Sequence, residues 1–325
     1  MPIDNYNMLK VLEDFPEQCK TALELTKGLT VQGDIKNIIV AGMGGSGIAG
    51  DILRAYISSF KIPVNVVKDY KLPEFVDANT LVFAVSYSGN TEETLSAYYD
   101  AVKKKAKIVA ITSGGELAKL CKKTIKIPSG YQPRAALGFL FFPILGVLSN
   151  ANVIDVKTQD VAEMLSVTGN VESYKKEAQH IAKTIRNRVP VVYSSNLFGV
   201  AAYRWKCQFN ENSKIAAFYN IFSEMNHNEV VGYQSMDRAI FISIMLKDKY
   251  DDTEIKKRMD VTKKIIETKA DVIEVNSRGD SFLARLFSLI YVGDFASYYH
   301  AINNRIDPTP VAVIENLKKE LKKCF

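Results

Sequence analysis

Asn37-Ile-Ile-Val-Ala-Gly-Met-Gly-Gly-Ser-Gly-Ile-Ala-Gly-Asp51 is the stretch that decides the fold. A β-branched run over 37–40 gives way to a turn with glycine at 42, 44, 45 and 47, and a helical pattern follows over 48–58. Strand, glycines and helix in that order open an α/β unit. Without side chains the turn brings backbone N–H groups close to an anion, and the helix N-terminus adds a favourable dipole.

Outward from this stretch the alternation continues. Further strands are expected over 64–67, 80–85, 107–111 and 124–127, with a helix over 92–105. Strands alternating with helices predict a parallel sheet covered on both faces. After Pro133 the pattern turns helical, and Val171, Tyr174, Ala178, Ile181, Ala182 and Ile185 form one helical stripe. A second alternating block places strands over 189–193, 239–245 and 271–275, and helices over 198–209, 253–269 and 281–303. Trp205, Cys207 and Phe209 on the first of these helices read as core and interface. The expected organisation is therefore two tandem α/β domains, 1–152 and 153–325, each a parallel sheet flanked by helices, with a helical C-terminal tail. The chain has 325 residues, 47% of them hydrophobic, which suffices for two cores of about 150 residues each.

Composition narrows the function classes. A formal charge of +6 suits an anionic substrate but is too small and too dispersed for nucleic acid. The densest basic run, Lys318 to Lys323, contains Glu320 and reads as a solvated helix end. The longest apolar run, 135–148, is broken by Pro143 and Gly146, so no membrane span is expected, and 1–20 lacks the apolar core of a secretion signal. Cys19, Cys121, Cys207 and Cys324 form no CxxC pair, which predicts reduced thiols and a cytoplasmic protein. His180, His227 and His300 have no metal-ligand spacing, so no catalytic metal is expected.

Two loops carry the binding chemistry. The first also satisfies GxGxxG through Gly42, Gly44 and Gly47, with Asp69 at the distance of a ribose-binding acid, so a dinucleotide site competes with a phosphate site here. The second, Ser86-Tyr-Ser-Gly-Asn-Thr-Glu-Glu93, separates the two readings. Ser86, Ser88 and Thr91 offer three hydroxyls beside helix N-terminal amides, which matches the three terminal oxygens of a phosphomonoester. The plainer reading is a capping box built from Asn90 or Thr91 and Glu93. A cap needs one hydroxyl, and three are present.

At these residues the chain resembles the SIS (sugar isomerase) fold, through Gly42 to Asp51 and Ser86 to Thr94. Over nearly its whole length it is similar to the bifunctional phosphoglucose/phosphomannose isomerases. The further matching segments are Pro133 to Gly138, Asn210 to Lys214, Asn226 to Glu229 and Asp307 to Pro310. The resemblance implies interconversion of glucose 6-phosphate and mannose 6-phosphate with fructose 6-phosphate, a step of glycolysis and gluconeogenesis, through an enediol and without a cofactor.

Such a reaction needs a base over C1 and C2, a cation for the developing oxyanion and a group that opens the ring. The resemblance assigns the base to Glu211, on an expected polar turn, the oxyanion cation to Arg134, and ring opening to His227 and Lys318. Lys319 leaves the register of that last lysine open. Gly45, Ser46, Ser86, Ser88, Thr91 and Arg134 would hold the substrate, with Thr309 near C2, and Glu224 or Glu229 would orient His227. It also implies a homodimer in which His227 enters the neighbouring site. Three rivals remain: a sugar-phosphate sensor without turnover, a nicotinamide dehydrogenase, and an SIS isomerase for five-carbon or amino sugars.

Overall fold

A computed structural model describes residues 3–321 and 323 of the chain. Cys324 lies outside the described residues, as does Lys322 of the basic run.

β1 (Asn37–Ala41), β2 (Val64–Val67), β3 (Thr80–Val85), β4 (Lys107–Thr112) and β5 (Thr124–Lys126) form one parallel sheet in the order β2-β1-β3-β4-β5. The central strands read as unbroken apolar runs because both of their faces are covered. Ile38 to Ala41 and every residue of β3 are buried. With β2 on one side of β1 and β3 on the other, the two crossovers diverge, and a crevice opens at the carboxyl ends of β1 and β3. Ala41 pairs with Ala84, so the chain leaves both strands at the same level.

The helix that follows β1, Gly44–Tyr56, begins four residues before the helix that periodicity predicts. The glycines that read as a loop are in fact its first turn. Gly50 on this helix lies so close to β1 that a Cβ there would sit 2.8 Å from the Val40 side chain. Leu137–Asn150 is continuous through Pro143 and Gly146. Its first twelve residues are all buried, and tertiary packing overrides the local breaking tendency.

A second parallel sheet contains β6 (Val189–Ser194), β7 (Phe218–Ile221), β8 (Phe241–Lys247) and β9 (Asp271–Asn276) in the order β7-β6-β8-β9. Its winding repeats that of the first four strands. Sequence periodicity misses β7, which is four residues long with an exposed Phe218 and Tyr219, and sets the start of β8 two residues early. The core beside this sheet is built on Tyr193, Phe222, Met225, Met245, Met259 and Ile266.

Residues 13–169 with 278–288 form one compact unit, and 1–12, 170–277 and 289–325 the other. Among the described residues no helix is long and apolar enough to cross a membrane.

Within the first unit, Glu163 on the helix Thr158–Gly169 accepts hydrogen bonds from the Asp280 N–H at 2.6 Å and the Ser281 N–H at 2.8 Å. These amides start the helix Phe282–Asn303, so Glu163 caps it from a different element. The Ser281 side chain, then the two amides, hold the Glu163 carboxyl below its ordinary 4.5. A depressed carboxyl stabilises the fold above the unfolded-state value and ceases to do so as pH falls through the folded-state value. Glu163→Gln is therefore expected to cost about 1 kcal/mol at pH 7. In thermal melts the gap to the parent should close below the ordinary carboxyl value; a gap independent of pH would refute the charge-based cap.

Candidate active site

The crevice at β1 and β3 is bordered by the two loops that the sequence singles out. Ser86 is buried, and its Oγ lies 2.9 Å from Thr91 Oγ1 and accepts the Gly89 N–H at 3.1 Å. Thr91 occupies the N-cap position of the helix Glu92–Lys103, yet its side chain makes no cap hydrogen bond. The capping-box reading therefore fails for Thr91: its hydroxyl faces Ser86. Gly89 holds the tight turn between them with φ +70. Ser88 is exposed, and its Oγ accepts the Asn90 N–H at 3.3 Å.

Ser46, also buried, ties the two loops together by accepting the Tyr87 N–H at 3.2 Å. The Tyr87 hydroxyl donates to the Pro128 carbonyl at 2.9 Å and accepts the Tyr131 N–H at 2.8 Å. Burial raises its pKa, which keeps the donor protonated. Arg134, further along the same segment, is only 3% exposed and donates from Nη1 to Gln132 Oε1 at 3.3 Å. Gly45 closes the same corner from the other side. A Cβ there would lie 2.8 Å from the Pro133 carbonyl and the Arg134 nitrogen. Five of the expected substrate residues thus gather in one unit: Gly45, Ser46, Ser86, Thr91 and Arg134. A buried guanidinium and the N-termini of two helices make this corner attractive to an anion. Sequence reading overlooked Tyr87, whose only signal is its place between two serines of the loop.

Asp51, the last residue of the opening motif, is held by Lys68 at 2.5 Å and Arg54 at 3.4 Å, so it braces the helix Gly44–Tyr56. Asp69 is exposed and accepts its neighbour's Tyr70 N–H at 2.6 Å.

The other unit carries Glu211, half-buried, as the last residue of the helix Gly199–Glu211 rather than on a turn beyond it. This helix is anchored at two levels. Arg204 bonds both oxygens of Asp294 at 2.9 and 2.7 Å with Gln208 joining at 2.9 Å, and Trp205 Nε1 donates to the Leu289 carbonyl at 2.8 Å. Just past Glu211 the chain is pinned again. Asn212 donates to Ser297 Oγ at 2.9 Å, and Ser213 Oγ donates to the Ser297 carbonyl at 2.7 Å. The Lys214 ammonium bonds the Glu211 carbonyl and, at 3.0 Å, the Pro308 carbonyl. It thereby brings the base candidate beside the segment that carries Thr309, which is buried.

His227 and Lys318 are both exposed, and neither side chain takes a hydrogen bond or ion pair among the described residues. Neither acid proposed to orient His227 is bonded to it. Glu229 accepts from Tyr193 and Asn220, each at 2.6 Å, and Glu224 accepts from Asn228 at 2.5 Å. The helix Ala312–Leu321, with Lys318 and Lys319, buries none of its residues. No group of three or more His, Cys, Asp or Glu residues suited to a metal ion occurs among the described residues.

Residues 34–141 match the SIS domain family, and residues 174–321 match the family described as the bacterial phospho-glucose isomerase C-terminal SIS domain. A bifunctional phosphoglucose/phosphomannose isomerase of Caldicellulosiruptor bescii is 43% identical over 97% of this chain and 98% of its own length. One from Thermoplasma acidophilum is 44% identical over 95% and 97%. This chain belongs to the bifunctional phosphoglucose/phosphomannose isomerase family. A D-glucosamine-6-phosphate 4-epimerase of Sulfolobus acidocaldarius is 34% identical over 67% of the chain and 71% of its own. The fold is shared with the C-terminal domain of a glucosamine-fructose-6-phosphate aminotransferase from Francisella tularensis. That match has a TM-score of 0.71 at 15% identity, and covers 95% of this chain and all of the other.

The Gly45 contact holds its helix against the Pro133–Arg134 backbone. Gly45→Ala is expected to cost about 1–3 kcal/mol, since its Cβ would meet backbone that has no side chain to move aside. Gly169→Ala, with open space around it, serves as the neutral comparison. Equal melting temperatures for the two variants would show that the corner yields freely.

Proposed function

We propose that the chain interconverts glucose 6-phosphate and mannose 6-phosphate with fructose 6-phosphate, without a metal or organic cofactor. The single observation that carries this reading is the corner formed by Ser46, Ser86, Thr91 and Arg134 at the sheet's switch point. It suits a phosphomonoester. In the dinucleotide order, by contrast, strand four would stand where β3 stands. The family's curated members are enzymes, which favours turnover over sugar-phosphate sensing.

In this reading the hydroxyls of Ser46, Ser86, Ser88 and Thr91, with the Gly45 backbone, hold the phosphate. His227 and Lys318 open the hexose ring, His227 by relaying a proton. Glu211 then moves the proton between C1 and C2, and Arg134, always charged, stabilises the enediolate. Rotation about C2–C3 in the open chain admits mannose. We assign the work to two functional halves divided near residue 152, and place the enzyme in the cytoplasm as a homodimer. The exposure of His227 supports its entry into a neighbouring subunit's site.

A coupled assay with glucose 6-phosphate and mannose 6-phosphate, run with a chelator present, tests the chemistry. The parent should turn over both sugars, and Glu211→Gln should lose activity by about three orders of magnitude or more while still binding the sugar phosphate. Activity largely preserved in Glu211→Gln would overturn the assignment, and loss of parent activity to the chelator would overturn metal independence. A mixture tests the dimer. Glu211→Gln and His227→Asn subunits, each weak alone, should regain about a quarter of parental activity once they exchange, because each mixed dimer restores one complete site. Mixed dimers without recovered activity would refute the shared site.

A further inference from the structure

At the amino-terminal edge of the second sheet lies a pocket of about 640 Å³, bordered by the C-terminus of the helix Val171–Ile185 and by the residues preceding β8. It is lined by His180, Lys183, Arg186, Asn187, Arg188 and Arg238. The residues placed above in substrate binding and catalysis do not line it. Its volume falls within the range of small-molecule sites.

The charges in this pocket are unbalanced. Four permanent cations face one carboxylate, Asp271. Arg188 pairs with Asp271 at 2.6 Å and also satisfies the Thr184 and Ile185 carbonyls of the helix end, so its role is largely structural. Arg238 shares the same carboxylate at 3.5 Å and donates to the Glu267 carbonyl. Lys183 and Arg186 are exposed and have no acidic partner among the described residues, and the exposed His180 stands beside them. The acid in the pocket is thus already taken by two arginines, which leaves the other cations to an outside anion.

The backbone contributes a second observation. Arg186 has φ +54 and ψ −125, a conformation that favours glycine, yet the position carries a long charged side chain. The His300 Nε2–H donates to the Arg186 carbonyl at 2.6 Å and holds the residue there. Strained residues of this kind persist where the surrounding structure over-determines them, and they cluster at binding sites.

We propose that this pocket binds a compact polyanion bearing two phosphate groups. Lys183, Arg186, His180 and the Asn187 amide would make the direct contacts, while Arg188 and Arg238 raise the local potential. Three net positive charges on the lining match a diphosphate, which carries roughly three negative charges at neutral pH. Apart from the His180 imidazole the lining has no aromatic ring, so recognition rests on the phosphates and not on stacking of a base. This inference stands independently of the isomerase reading, because it uses none of the same residues.

The three histidines of the chain make the test local, since each gives its own imidazole NMR signal in the full-length protein. Inorganic pyrophosphate should shift the His180 signal along a saturable curve at fixed pH. The His227 signal reports separately on any anion near the catalytic residues, and the buried His300 reports on the fold. Orthophosphate should bind at least ~tenfold more weakly, and Lys183→Ala/Arg186→Ala should weaken pyrophosphate by a similar factor with the His300 signal unmoved. ADP and fructose 1,6-bisphosphate used as alternative probes then distinguish a nucleotide source of the two phosphates from a sugar source. A stationary His180 signal, equal affinity for orthophosphate, or unchanged binding in the double variant overturns the proposal.

Discussion

The anion corner depends on a contact between two stretches of bare backbone. Gly45, in the first turn of its helix, presses against the Pro133–Arg134 peptide with no room for even a methyl group. That contact holds the backbone of Arg134 beside the helix that follows β1, and the Tyr87 hydroxyl bonds the preceding segment at Pro128 and Tyr131. An arginine brought in on a free loop would lose conformational entropy each time it met an anion. One that is already buried and bonded has lost most of that freedom in folding.

The unit that holds Glu211 solves its positioning problem with charge. Arg204 and Asp294 form a fork between two helices in a region with almost no exposed surface, and Gln208 satisfies the same carboxylate. A buried ion pair adds little net stability, because desolvation offsets its attraction. Breaking it, however, leaves a charge stranded in the core. Only one register of the two helices completes the fork. Gly293 enforces the same register sterically, since any side chain there would run into the Trp205 ring. The angular position of Glu211 on its helix follows from these constraints.

The two sheets share a winding but not a chemistry. In the first, the switch-point loops carry glycines and hydroxyls. In the second, the corresponding strand ends of β6 and β8 lead into Ser195 and a buried acidic pair, Asp248 and Asp251. There the Asp248 N–H donates to Asp251 at 2.9 Å, Ser277 bonds Asp248, and burial raises the Asp251 carboxyl. Carboxylates at that position disfavour a phosphate, so the two strand-end sites share a winding and differ in the charge they present.

Much of the molecule was legible in the sequence. Short β-branched and apolar runs marked eight of the nine strands, and in the central strands burial on both faces demands them. The Ser/Thr loop stood out as more than a cap, and the structure brings Ser86 and Thr91 of it together beside Ser46. Exposed Phe218 and Tyr219 hid β7, and the glycine-rich turn hid the start of the helix Gly44–Tyr56, because glycine's low helix propensity says nothing about the close packing that requires it there. The tertiary structure alone decided that Thr91 faces Ser86 instead of capping its helix, that Tyr87 bonds the segment leading to Arg134, that Glu211 ends a helix, and that four permanent cations and one acid from separate segments line a pocket. Local chemistry and periodicity are written along the chain. Which distant groups meet is decided only when packing brings them together.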